Sequence, residues 1–197
     1  MTSLRGTEVV ADATNVLALL IADEYKKKKN VSITKYATAH RHVRTQTFSN
    51  PGFTPHFSIF CLATGGVDTG NYSFELTQLV DHVSAHLAIL SSEFKNDKFL
   101  VKIYLKQGNE LLQQKIHECL GDIGDAVNVN IERESNPGGY YQLVQFKFFL
   151  LRNGKEINLS DGGFVDWTQK IIPNKKHRLI ISGIGTELIY KIKHEQL

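Results

Sequence analysis

One arginine stands where the sequence predicts the end of a strand and the start of a long loop. Arg44 lies near the end of a predicted strand over residues 33–47, and the chain then turns at Asn50-Pro51-Gly52. A second predicted strand, over residues 57–64, returns across the same sheet. An arginine in this position can hold a phosphate or a carboxylate with two parallel hydrogen bonds. The alternative is an ordinary surface arginine, because most arginine side chains are exposed.

Tyrosines and glycines in residues 138–188 are the other side chains and backbone positions that suit a ligand. Tyr140 and Tyr141 precede a strand, and either ring can form a wall or hydrogen-bond a small molecule. Gly183 and Gly185 stand where a strand enters a helix, and glycine there lets the backbone approach a flat or anionic group. The alternative is that these residues build the sheet, where aromatic side chains usually pack.

Two pairs of histidines have the spacing of metal ligands. His40 and His42 share one face of a predicted strand, and His82 and His86 are one helical turn apart. The first pair has no neighbouring carboxylate or cysteine, and the second lacks the glutamate of a zinc-protease motif. We interpret them as a polar strand face and two solvent-facing histidines, so neither a metal site nor a cofactor is predicted. Walker, dinucleotide-glycine and Ser-His-Asp patterns are also missing from the sequence.

Composition indicates an ordinary globular chain. The 197 residues are 42% hydrophobic and 22% charged, which is enough for a substantial core in one domain or in part of a larger protein. The net charge of +3 alone argues neither for nor against nucleic acid binding. The lysines at 26–29 are interpreted as a solvated helix end, with a nucleic-acid patch as the alternative. Cys61 and Cys119 are predicted to be reduced core thiols. With no signal peptide or long apolar run, the expected location is cytoplasmic, without membrane contact.

Hydrophobic periodicity predicts an α+β fold with a largely antiparallel sheet flanked by helices. In residues 142–150, Val144, Phe146, Phe148 and Leu150 share one face, which is the period of a half-buried strand. Residues 65–70 are predicted as a loop, and the glycines at 162 and 163 are predicted to follow a strand. Helices are predicted over residues 8–29, 74–90, 110–120, around 165–171 and from 186, and strands over residues 33–47, 57–64, 98–106, 126–132, 142–150, 156–160 and from 179.

The order of these elements resembles the catalytic core of histidyl-tRNA synthetase, a class II aminoacyl-tRNA synthetase, over nearly the whole chain. Residues 4–8 resemble the family's Leu-Arg-Pro-Glu-Gly-Thr start, shortened by two residues, and Arg44-Thr45-Gln46 stands where motif 2 has Arg-x-Glu. Residues 139–141 resemble the Asp-Tyr-Tyr of the histidine-binding strand. Residues 161–166 are similar to Gly-Gly-Arg-Tyr-Asp, and residues 183–188 to motif 3, Gly-x-Gly-x-Glu-Arg.

Several positions depart from the family's pattern. Leu188 stands where motif 3 has an arginine for the outer phosphate of ATP, and Asn136 where a second arginine contacts the reacting carboxylate. Phe164 replaces the arginine of Gly-Gly-Arg-Tyr-Asp, and Gln46 replaces the carboxylate after Arg44. Since amino-acid activation depends on stabilising charge on a transferring nucleotide, each lost arginine predicts a barrier higher by about 2.7–4 kcal/mol.

The resemblance therefore implies a catalytically inactive regulatory or binding domain over residues 1–197, lacking motif 1 and either complete or part of a longer chain. Two relatives fit: the regulatory subunit of ATP phosphoribosyltransferase and the synthetase-like module of amino-acid-starvation kinases. They imply a protein or tRNA partner and a small ligand such as histidine or a nucleotide. The alternatives are a divergent active synthetase or ligase that binds ATP through Arg44, and a scaffold without a ligand.

No catalytic residue is assigned on this interpretation. The resemblance also predicts that the Arg44 hairpin lies beside the strand that enters motif 3, in a six-stranded antiparallel sheet. The residues expected to line a remaining ligand pocket are Arg44, Gln46, His56, Tyr140, Tyr141, Gly162, Gly183 and Glu187.

Overall fold

A computed structural model describes residues 10, 12–27, 33–43, 54–105, 110–121, 123, 127–133, 140–172 and 174–196. These residues form helices and strands in alternation along much of the chain. In chain order the elements are α1 (Ala13–Lys27), β1 (Ile33–Val43), β2 (His56–Val67), α2 (Ser73–Glu93), β3 (Lys98–Leu105), α3 (Glu110–Leu120), β4 (Val127–Arg133), β5 (Val144–Arg152), β6 (Lys155–Val165), α4 (Trp167–Ile171), β7 (His177–Ile184) and α5 (Thr186–Lys193).

The strands form a single sheet in the order β1-β2-β7-β6-β5-β3-β4. Neighbouring strands are antiparallel except for β3 and β4, which run parallel. The predicted α+β fold with a largely antiparallel sheet is confirmed. The β1–β2 hairpin also lies beside β7, as the resemblance predicts, but the sheet has seven strands instead of six because β4 joins it in parallel.

Helices cover both faces of this sheet. On one side, which we call the α2 face, α2, α3 and α5 pack on Phe146, Phe148 and Leu150 in the larger core. On the opposite side, the α1 face, α1 packs on Ala63 and Ile181 in a smaller core. No helix within the described residues is long and apolar enough to cross a membrane.

The alternation predicted for β5 is confirmed. Val144, Phe146, Phe148 and Leu150 are each at most 1% exposed, whereas Phe149 on the other face is half-buried. Burying large apolar side chains on one face of a strand is worth about 1.5–3 kcal/mol each. This face of β5 is therefore a main source of the fold's stability.

The first helix differs from its predicted form. It begins at Ala13 instead of residue 8, because Asp12 Oδ1 accepts hydrogen bonds from the Thr14 amide at 2.9 Å and the Thr14 hydroxyl at 2.7 Å. Val16 and Leu20, predicted to face inward, are 39% and 45% exposed. The predicted cap at residue 7 lies outside the described residues.

Two pairs of glycines predicted to lie outside strands belong to strands. Gly65 and Gly66 extend β2, and Gly162 and Gly163 extend β6. A Cβ at Gly65 would overlap Ile21 of α1, and one at Gly66 would overlap the ring of Phe74 in α2. Glycine is therefore needed in β2 because helices press on both faces of the sheet, not because the chain turns there.

The two histidines of α2 are buried, which corrects their interpretation as solvent-facing. His82 is 3% exposed and His86 is fully buried. His82 hydrogen-bonds the hydroxyls of Thr64 at 3.0 Å and Ser182 at 2.8 Å. His86 hydrogen-bonds Ser182 at 2.9 Å and Ser160 at 2.9 Å. These five side chains form a hydrogen-bond chain, here called the histidine–hydroxyl chain, that ties α2 to strands β2, β7 and β6.

The histidines of β1 and the two cysteines differ in part from their predictions. In β1, His40 is exposed but His42 is 2% exposed and lies against Phe57, so the predicted polar face is polar only in part. Cys61 is a buried free thiol as expected, whereas Cys119 is exposed on α3.

Candidate functional site

A cavity of about 380 Å³ opens on the α1 face of the sheet. Its floor is the centre of three paired strands, where Cys61 of β2, Gly183 of β7 and Asp161 of β6 lie in register. The segment before β5 and the start of α1 supply the walls. The lining residues that the structure describes are Asp12, Thr14, Ile59, Cys61, Tyr140, Tyr141, Asp161, Ile181, Ser182 and Gly183. We call this cavity the tyrosine pocket.

Tyr141 is fixed in the tyrosine pocket by a hydrogen bond and by a glycine. Its hydroxyl donates to Oδ2 of Asp161 at 3.3 Å. Burial raises the pKa of Tyr141, and the negative charge of Asp161 raises it further, so the phenol remains a donor. A Cβ at Gly163 would lie 2.6 Å from Cδ1 of Tyr141, so only glycine at this position lets the ring rest on the sheet.

Tyr140 presents an aromatic surface at the mouth of the pocket. Its side chain is 50% exposed, and its ring meets the edges of Tyr141 and Trp167 with centroid distances of 4.8 and 5.9 Å. Such T-shaped contacts hold an exposed ring in one orientation. A ligand in the pocket would therefore meet a rigid aromatic wall.

The described lining of the tyrosine pocket carries acidic side chains and no basic ones. Asp12 and Asp161 are its two carboxylates, and its described lining residues include no lysine, arginine or histidine. Next to aromatic rings, carboxylates favour a cationic group such as an ammonium. The described part of the pocket is thus suited to an amine and not to a phosphate.

The structure brings together three of the eight predicted ligand-binding residues. Tyr140, Tyr141 and Gly183 line the tyrosine pocket. Gly162 lies beside them in β6 but faces the α2 side, where a Cβ would lie 2.5 Å from Ser182 and 2.6 Å from Phe146. His56 is exposed at the start of β2, opposite Val43. Arg44 and Gln46 lie outside the described residues.

Comparisons with known proteins identify the fold. No protein-family model matches the chain, and no curated protein matches it. Among solved structures, apo histidyl-tRNA synthetase from S. aureus aligns over 95% of this chain with a TM-score of 0.64 and 13% identity. A putative threonyl-tRNA synthetase from Aeropyrum pernix aligns over 99% with a TM-score of 0.65 and 13% identity. The chain has the class II aminoacyl-tRNA synthetase fold.

A third protein with the class II synthetase fold comes from Bacillus halodurans C and is described as an ATP phosphoribosyltransferase regulatory subunit/histidyl-tRNA synthetase. It aligns over 92% of this chain with a TM-score of 0.64 and 14% identity. The chain covers 52%, 50% and 63% of these three proteins, so it spans between half and two thirds of their length. The resemblance found in the sequence is confirmed at the level of the fold.

Two positions at which the sequence resemblance would place an arginine carry packing side chains. Leu188, in the first turn of α5, packs against the larger core. Phe164 is 4% exposed and belongs to the same core. Neither side chain can offer a charge to a phosphate, and neither lines the tyrosine pocket.

Glu187 is engaged by cations of this chain. It forms ion pairs with Arg41 at 3.3 Å and with Lys191 at 3.1 Å. Burial raises the pKa of Glu187, but hydrogen bonding and charge from Lys191, with the charge of Arg41, outweigh burial and lower it overall. The carboxylate therefore links α5 to the β1–β2 hairpin and does not line the tyrosine pocket.

Sequence reasoning missed both carboxylates of the tyrosine pocket. Asp161 shares the face of Gly163 because side chains alternate along β6, so strand parity alone could have placed it beside Tyr141. Asp12 carried no such signal, because its position follows from where α1 begins.

Proposed function

We propose that this chain is a catalytically inactive binding domain of the class II synthetase fold that holds an amino acid in the tyrosine pocket. The observation that carries this proposal is the pairing of Asp12 and Asp161 with two tyrosine rings on the floor and walls of one cavity. By the resemblance to histidyl-tRNA synthetase, the first amino acid to consider is histidine. The volume of about 380 Å³ lies within the range of small-ligand sites.

The α-ammonium group is the part of the ligand that the pocket recognises in this proposal. A carboxylate that accepts a hydrogen bond from an ammonium forms a charge-assisted contact, which is stronger than a neutral one. Asp161 already accepts from Tyr141 and is thereby oriented on the pocket floor. The exposed ring of Tyr140 would cover the ligand's apolar part.

Loss of adenylation follows from the residues that replace arginine. Activation of an amino acid places developing negative charge on a transferring nucleotide and requires positioned cations. Leu188 and Phe164 are apolar and packed into the core, so neither can take that role. The surviving candidate cation of motif 2, Arg44, would have to hold the nucleotide without them.

We further propose that the bound amino acid controls contact with a protein partner. The description of the Bacillus halodurans C protein, which includes a regulatory subunit, supports a role of the same kind. A tRNA partner is the alternative, and the net charge of +3 argues neither for nor against it. Size-exclusion chromatography of this protein with a candidate partner protein, run with and without histidine, tests the proposed control. A complex that forms with tRNA and with no partner protein would contradict it.

Replacing Asp161 with asparagine is expected to weaken histidine binding at least tenfold. The asparagine side chain keeps the size and the acceptor for Tyr141 but removes the negative charge that faces the ammonium, and a hydrogen bond to a charged group is worth about 1.5–3 kcal/mol. Isothermal titration calorimetry with L-histidine measures the change.

Asp81→Asn is the matched control for this substitution, because Asp81 is partly exposed and pairs with Lys35 outside the tyrosine pocket. Its affinity for histidine should equal that of the unsubstituted protein. Imidazolepropionic acid, which lacks the amine, should not bind. Equal binding of histidine and of this analogue would refute recognition through the ammonium group.

A further inference from the structure

A row of paired residues crosses the sheet from the floor of the tyrosine pocket. Asp161 of β6 lies opposite Gly183 of β7 on one side and opposite Lys147 of β5 on the other. Lys147 in turn lies opposite Lys102 of β3. Because directly opposite residues on antiparallel strands project from the same face of the sheet, Lys147 and Asp161 share the α1 face. The row therefore places a lysine on the strand next to the pocket floor.

The alternation of β5 gives the same placement for Lys147. Its chain neighbours Phe146 and Phe148 are buried on the α2 face, whereas Lys147 is half-buried on the other. Directly opposite residues of an antiparallel pair have Cβ atoms about 4.5–5.5 Å apart, and the four-carbon stem of lysine is flexible. The ammonium group of Lys147 can therefore reach the space above Asp161.

The two lysines of this row differ in what holds their ammonium groups. Lys102 Nζ pairs with Glu156 at 2.8 Å. Lys147 Nζ lies 5.3 Å from the centroid of the Tyr104 ring. A cation–π contact at a partly exposed site is weaker than a charge-assisted hydrogen bond to a carboxylate. Of the two lysines, Lys147 is therefore the one that an added carboxylate can draw from its present contact.

The charges around Lys147 also favour an added anion. Lys102 and Lys147 are like charges directly opposite each other, an arrangement that is destabilising on paired strands. Glu156 offsets this repulsion on the side of Lys102. A ligand carboxylate beside Lys147 would offset it on the other side.

A free amino acid brings a carboxylate as well as an ammonium group into the tyrosine pocket. In the proposed function the ammonium group meets Asp161. The carboxylate would then face Asp12 and Asp161, and the described lining of the pocket offers it no basic side chain. Binding of a free amino acid therefore requires a cation from beside the pocket, and the strand pairing puts Lys147 next to Asp161.

We propose that Lys147 binds the α-carboxylate of the amino acid whose ammonium group donates to Asp161. The inference rests on the function proposed for the tyrosine pocket and extends recognition from the ammonium group to the whole zwitterion. Both charges of an α-amino acid are carried on one carbon atom, and Asp161 and Lys147 are neighbours across one strand pairing. The pocket would thus select free α-amino acids over amines and over amino acids whose carboxyl group is amidated.

Isothermal titration calorimetry with L-histidine and with histamine, which lacks only the carboxylate, tests the proposal. The unsubstituted protein should bind histidine more tightly than histamine by about tenfold or more. Lys147→Met keeps an apolar stem and removes the charge, so it should abolish this preference and leave the affinity for histamine unchanged. Lys98→Met, at an exposed position at the start of β3, is the matched control and should keep the preference.

Two further measurements separate recognition of the carboxylate from a role of Lys147 in folding. Lys147→Arg should retain the preference for histidine, because a guanidinium also pairs with carboxylates. If Lys147→Met does not fold, L-histidinamide, which keeps the amine and has a neutral amide, should bind the unsubstituted protein as weakly as histamine.

The outcomes distinguish this inference from the proposed function. Equal affinities for histidine and histamine in the unsubstituted protein would overturn the role of Lys147 and leave the proposed function standing. The same holds for an unchanged preference in Lys147→Met, or for an equal loss of affinity for both ligands. If neither ligand binds the unsubstituted protein, the proposed function is overturned and the role of Lys147 with it.

Discussion

Lowering the pH from 7 to 5 is expected to remove about 3 to 4 kcal/mol from the free energy of unfolding, because both histidines of the histidine–hydroxyl chain are held neutral. Burial lowers the pKa of His82 from 6.5 to about 4 and that of His86 from 6.5 to about 3. The unfolded chain binds a proton at each imidazole near pH 6.5, whereas the native state does not. Stability from these groups is therefore complete above pH 6.5 and is lost as the pH falls.

The size of this loss in unfolding free energy follows from the coupling between proton binding and folding. Each pH unit between the unfolded and the native pKa changes the free energy of unfolding by about 1.4 kcal/mol for each histidine. Two histidines over the interval from about pH 6.5 to 5 give about 4 kcal/mol as an upper value. Burial also lowers the pKa of His177, which adds to the change in the same direction.

Urea unfolding between pH 7 and 5 measures this dependence. His86→Gln keeps a hydrogen-bonding side chain but cannot titrate, so the slope of unfolding free energy against pH should fall by about one proton. His117→Gln, at an exposed position on α3, is the control and should keep the original slope. If His86→Gln also kept the original slope of unfolding free energy against pH, the histidine–hydroxyl chain would not be the cause of the acid sensitivity.

Replacing Phe146 with alanine is expected to lower the free energy of unfolding by about 3–5 kcal/mol. Its ring is fully buried between His86, at a centroid distance of 5.3 Å, and Phe148, at 6.2 Å. Gly162 has no Cβ to occupy the space beside that ring. Truncation would leave a cavity that these rigid neighbours cannot close.

Phe149→Ala is the matched control, since the residue lies three positions further along β5 on the other face of the sheet. Its ring is half-buried and receives Lys102 Nζ at 5.0 Å from the centroid. Its loss should cost about 1–2 kcal/mol. Urea unfolding of both variants at pH 7 compares them, and equal losses would show that the α2 face is not the dominant core.

Hydrophobic periodicity correctly predicted the elements in which each residue's burial follows from its place in the repeat. The alternation of β5 determined which of its residues face the core, and the predicted and observed bounds of α3 coincide at residues 110–120. In both cases one face of the element meets a single apolar surface. Periodicity is sufficient under that condition, because each residue's burial depends on its place in the repeat.

The errors arose where distant segments decide a residue's environment. His82 and His86 could not be recognised as buried, because their hydroxyl partners come from three strands that are separated along the chain. Gly65 and Gly66 resembled a loop because the helices that press on them are brought there by tertiary packing. Two-sided burial of this kind leaves no periodic signal.

The candidate site was predictable only in part for the same reason. Tyr140, Tyr141 and Gly183 were found from their residue types beside predicted strands and from the resemblance to a known motif order. Asp161 reaches the tyrosine pocket through the pairing of β6 with β7, and Asp12 reaches it through the start of α1. Both depend on pairings and boundaries that the sequence pattern does not contain.

In the proposed function, a synthetase fold binds an amino acid without activating it. The direct measurement is ATP–pyrophosphate exchange at a concentration of L-histidine that calorimetry shows to fill the tyrosine pocket. We predict exchange no faster than in buffer without protein. Exchange that requires both the protein and histidine, and that Asp161→Asn abolishes, would contradict the account and identify an active enzyme.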